Sequence, residues 1–413
     1  MMFDINHMTQ QFDIIRHYES EGRFHYLDNA ATAQIPDCVI AAMTTHDTRA
    51  RANVKRGIHR LAQEATDAFE RARDRVAKYL GVQNSDEVIF TGGATAGINM
   101  IAQGFGQNLK PGDEIVLSQA EHHSNLVPWQ MLKQRKGVRL RFLPIDENGV
   151  IDLSRVEASI RPATKLVAVT HASNVIGAVT DVAAIRKIAH ERGAKLMLDG
   201  AQMAPHGPLD LPRVGADFYV FSGHKTYGPS GVGVLWGRME SLERMPPAFG
   251  GGEMVAHVAF EETRYAAPPH KFEAGTPPIT QAVGLGAALE WIANQDLQEC
   301  RQHLNGLTEQ IMAGMAQLNN AYDHRIRILG PPRGEQRLPL ISFAVKDAHP
   351  HDICQIMNDR HGVALRGGHH CAEPLHEIFD LDGTTRASLG MFNGQEDVDA
   401  LLNGLEDCLN ILG

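Results

Sequence analysis

Phe218-Tyr219-Val220-Phe221-Ser222-Gly223-His224-Lys225-Thr226-Tyr227-Gly228-Pro229 is the stretch that decides how this chain folds. Its first four residues form a short apolar and aromatic run, as expected of a strand buried on both faces. The run then breaks into small, turn-forming residues and presents a single lysine. In open α/β sheets ligands sit outside the carboxyl ends of the strands, which places Lys225 where chemistry is expected. A lysine amine in a partly desolvated site can lose its proton and form a Schiff base with an aldehyde. Standing alone, a loop lysine is more often a solvated surface group. Its neighbours reverse that reading.

Upstream, a second apolar run over 195–198 ends in Asp199-Gly200-Ala201-Gln202. A carboxylate at that strand end suits the pyridinium nitrogen of pyridoxal phosphate, keeping it protonated so that the ring withdraws electrons. Gln202 could donate to the ring phenolate oxygen. Asp199 alone would read as a helix N-cap, and the two roles are compatible. A third run, 88–90, leads into Thr91-Gly92-Gly93-Ala94-Thr95-Ala96-Gly97 and then a helical stretch. Backbone N–H groups at such a helix start favour a phosphate dianion. The spacing is not that of a dinucleotide-binding G-x-G-x-x-G. Glu121-His122-His123-Ser124-Asn125 follows another strand end, where an imidazole could stack on a flat ring and shuttle protons. No Cys or carboxylate pair stands at ligand spacing beside these histidines, so no metal is expected.

Further strands are expected at 114–117, 166–170 and 233–236, with amphipathic helices between them. One helix carries Ala65, Ala68, Phe69, Ala72, Val76 and Leu80 ahead of Gly81. This alternation is the pattern of an α/β fold with crossover helices. After residue 285 the texture turns helical and a shorter strand follows at 340–345. The expected organisation is an N-terminal segment (1–25) packing on a small domain, a large cofactor-binding domain (26–285) and a small α+β domain (286–413).

The whole chain has 413 residues, 43% hydrophobic and 21% charged, which is ordinary for a globular protein of two domains. Its 39 basic against 49 acidic residues give a net charge of −10, which argues against nucleic acid or an anionic membrane as partner. Neither a signal peptide nor a membrane span is expected. The five cysteines (Cys38, Cys300, Cys354, Cys371 and Cys408) are scattered, without C-x-x-C spacing, which suits free thiols in a cytoplasmic protein.

Taken in order, these segments resemble the class V aminotransferase family of fold-type I pyridoxal-phosphate enzymes, and within it group II cysteine desulfurases of the SufS/CsdA type. The resemblance runs from Tyr26-Leu27-Asp28-Asn29-Ala30-Ala31 to the terminal helix. It is densest at Arg56-Gly57-Ile58-His59, His171-Ala172-Ser173-Asn174-Val175, Ser222-Gly223-His224-Lys225, Phe272-Glu273-Ala274-Gly275-Thr276-Pro277 and Arg366-Gly367-Gly368-His369-His370-Cys371. It implies a large domain with a mostly parallel, seven-stranded sheet. It also implies that Lys225 carries the cofactor, Asp199 holds the ring nitrogen, Gln202 the phenolate oxygen, and His122 stacks on the ring. Thr95, Ser222 and His224 would bind phosphate, with Thr276 reaching across from the partner subunit of a homodimer. Asn174 would lie beside cofactor and substrate carboxylate. Arg386 would grip that carboxylate through its planar fork, with Arg366 also at the substrate. The chain departs from the family's usual Arg-Gly-Thr-Thr-Glu loop at 92–96, where one hydroxyl and two charges are missing. Pro278 stands where an asparagine is common.

Cys371 separates the members of this family. Its glycine-containing loop should be exposed, and Arg366 and the histidines could favour the thiolate. Cys38, Cys300, Cys354 and Cys408 are expected to be buried packing residues. The implied reaction converts L-cysteine to L-alanine, the Cys371 thiolate taking the sulfur as a persulfide. Such enzymes pass sulfur to a small acceptor of the SufE or SufU kind, for iron–sulfur cluster assembly. The alternatives are a selenocysteine lyase acting on L-selenocysteine, a transaminase or epimerase, which has no use for the thiol, and a non-catalytic sulfur-relay scaffold.

Overall fold

The computed structural model describes residues 3–22 and 24–412. Seven strands make the central sheet: β1 (Val88–Thr91), β2 (Glu114–Ser118), β3 (Arg139–Leu143), β4 (Thr164–Thr170), β5 (Lys195–Asp199), β6 (Phe218–Ser222) and β7 (Gly233–Gly237). Their spatial order is β1-β7-β6-β5-β4-β2-β3. All pair in parallel except β7, which runs antiparallel to both β1 and β6. Every residue of β1, β2, β6 and β7 is buried. Successive residues feed opposite cores, with Val88, Phe90, Val116 and Phe221 on one face and Ile89, Ile115, Leu117 and Val220 on the other. A sheet covered on both faces leaves no polar alternation, hence the unbroken apolar runs.

The smaller unit is an antiparallel sheet of β8 (Ile326–Leu329), β9 (Leu340–Val345), β10 (Arg366–Gly368) and β11 (Thr384–Ser388), in the order β8-β9-β11-β10. Helices Leu297–Ala321, Pro350–His361 and Gln395–Ile411 contribute Ile311, Met357 and Leu405 to its core.

Three expectations change. Helix Ile279–Ala293 runs unbroken through residue 285 and sends Ala282, Leu285, Leu289 and Ile292 into the large-domain core. Cys300 still belongs to that core, whereas Leu304 belongs to the small one, so we place the boundary between them. The N-terminal segment does not pack on the small domain alone. Met8, Phe12 and Ile15 join the large core, and Phe12 lies 5.5 Å from Trp291 and 5.0 Å from Phe392 between ring centres. It reaches the small domain through the Phe3–His303 stack and the 2.8 Å contact of His25 with Asp397. Finally, Cys300 and Cys408 are buried but Cys354 is only partly so and Cys38 is exposed. Cys38 sits in the first turn of helix Asp37–Arg49, where Val39 takes the inward position.

Candidate active site

Strands β2, β4, β5 and β6 run the same way, so their carboxyl ends open on one edge of the sheet. That edge carries His122, Asn174, Asp199 to Gln202 and Ser222 to Lys225 within a few residues of each strand end. They border a cleft of about 840 Å³, partly open to solvent. Of the twelve residues singled out from the sequence, Thr95, His122, Asn174, Asp199, Gln202, Ser222, His224, Lys225, Arg366, Cys371 and Arg386 line it. Thr276 does not. It is exposed and lines a separate surface depression with Asp47 and Thr280.

Burial sets the electrostatics of the sheet edge. It brings the Lys225 amine down to about 8, with Asp199 pulling the other way and Arg386 and Arg366 adding to the fall. Burial raises the Asp199 carboxyl above its ordinary range, against the Ala201 N–H, which donates to Asp199 Oδ1 at 3.0 Å, and the charge of Lys225. His122 falls to about 3 through burial and then the charge of Lys225, so it is a neutral ring near pH 7. Its Nδ1 accepts from the Ser124 N–H at 3.0 Å and contacts the Ser124 hydroxyl, which leaves the proton on Nε2. Glu121 anchors this turn from behind. Its carboxylate accepts from the Thr170 N–H at 3.0 Å, Asn125 Nδ2 at 2.6 Å and the Ser118 hydroxyl, and burial raises it to about 7.

At the other end of the cleft, helix Ala94–Gln107 begins at Gly93 without a side-chain cap. Beyond the Ala94 N–H, its first-turn amides are therefore available to an anion. Ser222 Oγ accepts from the Ala94 N–H at 2.9 Å, tying β6 to the helix start. Gly93 has φ +136°, and a Cβ there would press within 3.3 Å of Ser222 Oγ. Behind the loop Glu273 takes the Phe90 N–H at 2.9 Å and pairs with Arg73 at 2.7 Å, while Arg73 also holds the Val88 carbonyl. These bonds fix the strand that delivers Gly93. Thr32 adds a 3.0 Å contact to His224 Nδ1.

The small domain closes the cleft. Arg386 is buried, with Nη1 on the Asn174 carbonyl at 2.9 Å and Nη2 on Asp28 Oδ1 at 3.1 Å. Its Nε is buried without a hydrogen-bond partner among the described residues. Arg366 approaches the other oxygen of Asp28 at 3.6 Å. Cys371 is exposed, on a loop whose backbone is held from across the cleft: Asn174 Nδ2 donates to the His370 carbonyl and the His123 N–H to the Cys371 carbonyl, both at 2.7 Å.

Residues 25–401 match the model of the class-V aminotransferases. The chain belongs to the class-V aminotransferase family. It is 42% identical over 418 residues to a probable cysteine desulfurase of Streptomyces coelicolor, covering 100% of this chain and 99% of that one. Its fold matches the crystal structure of the cysteine desulfurase CsdA of Escherichia coli with a TM-score of 0.89 at 36% identity, covering 100% of both chains. A C-DES variant with glycine covalently linked to its PLP cofactor matches at 25% identity and a TM-score of 0.80, over 95% of this chain and 99% of that one.

The fold is therefore the fold-type I of PLP enzymes, and PLP is the cofactor of this class-V chain. The cleft fits it. The uncapped helix start and the glycine cradle suit the phosphate, and Asp199 offers a buried carboxylate with one oxygen not engaged by Ala201. Gln202 Nε2 spends one hydrogen on the Ala30 carbonyl at 2.8 Å and keeps the second. The departures at 92–96 leave this neutral cradle intact, because the helix start and Ser222 supply it. Several contributors had no local signal in the sequence. Asp28 and Thr32 reach the site only through contacts made on folding, and the bonds of Glu121, Ser124 and His370 cannot be read from the motifs that contain them. Asp28 lies in a family-like segment, Tyr26 to Ala31, and that segment was the one clue to it.

Proposed function

We propose that this chain is a PLP-dependent cysteine desulfurase, converting L-cysteine to L-alanine with the sulfur received by Cys371 as a persulfide. The observation that carries this reading is that Lys225, on the large-domain sheet edge, and Cys371, on the small-domain loop, line one cleft together with Arg386. When bound, PLP supplies an electron sink that lets a proton leave the substrate α-carbon. Lys225 would tether it, Asp199 hold its ring nitrogen, Gln202 its ring oxygen and His122 its face. Thr95, Ser222 and His224 would hold its phosphate.

Arg386 binds the substrate carboxylate through Nε and its remaining hydrogens, with Arg366 and Asn174 at its side; Asp28 and the Asn174 carbonyl keep the fork from rotating. Lys225, whose amine is brought down to about 8, is neutral in a useful fraction near pH 7 and moves a proton at the substrate α-carbon. His122, neutral with its proton on Nε2, is oriented rather than charged. The Cys371 thiolate then attacks the substrate sulfur. One S–S bond forms, the C–S bond breaks, and its electron pair stays on carbon, where a proton completes the methyl group of alanine. No external oxidant or reductant is needed.

The same reading takes a second copy of the chain as partner. Thr276 is exposed, and Ile58 and Phe260 are fully exposed, as expected of groups that another subunit covers. It also takes a small sulfur acceptor of the SufE or SufU kind, in the cytoplasm, for iron–sulfur cluster assembly. Among the described residues no helix is long and apolar enough to cross a membrane. Purified protein with cysteine and a reductant should give alanine and sulfide in equal amounts. Cys371→Ala should stop both while the yellow colour of the bound cofactor stays. Retained cysteine turnover in that variant sinks the persulfide step. Strong turnover of selenocysteine in Cys371→Ala would favour the lyase alternative instead.

A further inference from the structure

His370 and Cys371 both have left-handed backbone, φ 51° and 58°. Residues with a Cβ adopt that region at a cost, so the loop must be held there by its surroundings. Two restraints come from the large domain, through Asn174 and His123 on the two carbonyls. A third lies behind the loop. His370 Nε2 is 2.9 Å from Thr384 Oγ1, the same hydroxyl is 3.1 Å from His376 Nε2, and His376 Nδ1 is 3.0 Å from the Ala372 carbonyl. Thr384 is fully buried and does not line the cleft.

The chemistry of the groups fixes every proton in this chain. A carbonyl only accepts, so His376 Nδ1 carries a hydrogen and donates to Ala372. His376 is neutral, because burial lowers its ring below the ordinary value, so its Nε2 is a bare lone pair. The Thr384 hydroxyl must therefore donate to His376, and its oxygen accepts from the Nε2–H of His370. The reverse order would set a bare Nδ1 against the Ala372 carbonyl. The last atom of the sequence is His370 Nδ1, a bare lone pair, buried and without a hydrogen-bond partner among the described residues. That ring stays neutral, as burial and then Arg386 lower it to about 2. The relay thus grips the loop on both sides of Cys371, at the His370 ring and at the Ala372 carbonyl.

We propose that Thr384 is a positioning residue for Cys371, its hydroxyl joining His370 and His376 into a relay whose fixed proton directions hold the loop in the conformation that offers the sulfur. The consequence for sulfur transfer rests on the desulfurase reading; the consequence for loop geometry does not.

The test compares Thr384→Val, which keeps the side-chain shape and loses the hydroxyl, with Thr384→Ser, which keeps the hydroxyl, both as holoenzyme. A misplacement of about 1 Å can slow a reaction about 100-fold, so Thr384→Val should form the Cys371 persulfide in a single turnover at least ~10-fold more slowly. The KM for cysteine should stay within about twofold, and Thr384→Ser should come within about threefold of wild type. Alkylation of Cys371 by iodoacetamide, followed by mass spectrometry, should show the same order of variants. That readout needs no turnover. A wild type that forms no persulfide while keeping the alkylation pattern would remove the desulfurase reading and uphold the loop assignment. Should Thr384→Val lose its fold, His376→Phe interrupts the relay from the far end with a ring kept in place, and the same slowing is expected. Wild-type rates in Thr384→Val, a serine variant as slow as the valine one, or a raised KM at unchanged turnover would each overturn the proposal.

Discussion

The two sides of the cleft are built on opposite principles. Lys225 and Asp199 stand at the ends of β6 and β5, whose position is fixed by a sheet buried on both faces. Cys371 stands on an exposed loop in left-handed backbone, held by a few hydrogen bonds from Asn174, His123 and the Thr384 relay. The first side is rigid, fixed by the sheet; the second, although burial also shifts Arg386 and His370 there, hangs on separate hydrogen bonds and is adjustable. A bound amino acid and a nucleophile that must approach it call for that division. The tether and charge partners must stay still, while the sulfur needs to close on its target and then withdraw to meet an acceptor.

Changes on the rigid side should therefore abolish chemistry, and changes on the adjustable side should slow one step. Lys225→Ala removes both the tether and the proton carrier, so cysteine turnover should fall by about 1,000-fold or more. The Schiff-base absorbance band should vanish with it. A variant that keeps the band would place the tether elsewhere. Asn174→Ala cuts the bond to the His370 carbonyl and loosens the loop, and it also removes a neighbour of the substrate carboxylate. Persulfide formation should then slow by about 100-fold with the cofactor band intact. Equal loss of cofactor would show that the two sides are not separable. Arg386→Lys keeps the charge but loses the planar fork, and kcat/KM for cysteine should drop by roughly 10-fold, mostly in KM. An unchanged KM would exclude Arg386 from carboxylate binding.

The same division decides what the sequence could reveal. Strand ends announce themselves, because an apolar run followed by Ser222-Gly223-His224-Lys225 is a local pattern and burial on both faces removes any ambiguity of side. The edge strand β3 escaped notice because Arg139-Leu140-Arg141-Phe142-Leu143 is largely solvated and lacks such a run. On the loop side the sequence identified Cys371, through its resemblance to a family, but nothing of what holds it. Thr384 is 14 residues from His370 and 8 from His376, and Asp28 is 358 residues from Arg386. No periodicity encodes contacts of that kind; those of Thr384 appear when the small sheet lays β11 beside β10, and Asp28 arrives by its own bridge to Ser388. The boundary expected at residue 285 differs from the one we place for a related reason. The change in texture marks the start of helical sequence, whereas the domain changes where the apolar face switches from one core to the other, after Cys300.

The smallest effect expected from the rigid side concerns stability, and its sign follows from the Lys225 amine. In the cofactor-free protein its folded value is about 8, below the ordinary 10.5, because burial penalises the charge. Below pH 8 the amine is protonated whether the chain is folded or not, and the folded state bears the full cost of burying it. Between about pH 8 and 10.5 the unfolded chain binds the proton and the folded one releases it, so stability rises with pH across that window. Above it the amine is neutral in both states and the penalty is gone. Lys225→Met should therefore stabilise the cofactor-free protein at pH 7 and make no difference at about pH 11. The whole shift, which already includes the attraction of Asp199, corresponds to about 3 kcal/mol, and that is the upper bound on the gain in the variant. Urea midpoints of the two cofactor-free proteins at both pH values measure this. A methionine variant that is less stable at pH 7 would mean that Asp199 depends on Lys225 more than burial penalises the amine, and the rigid side would then be held together by its charges rather than strained by them.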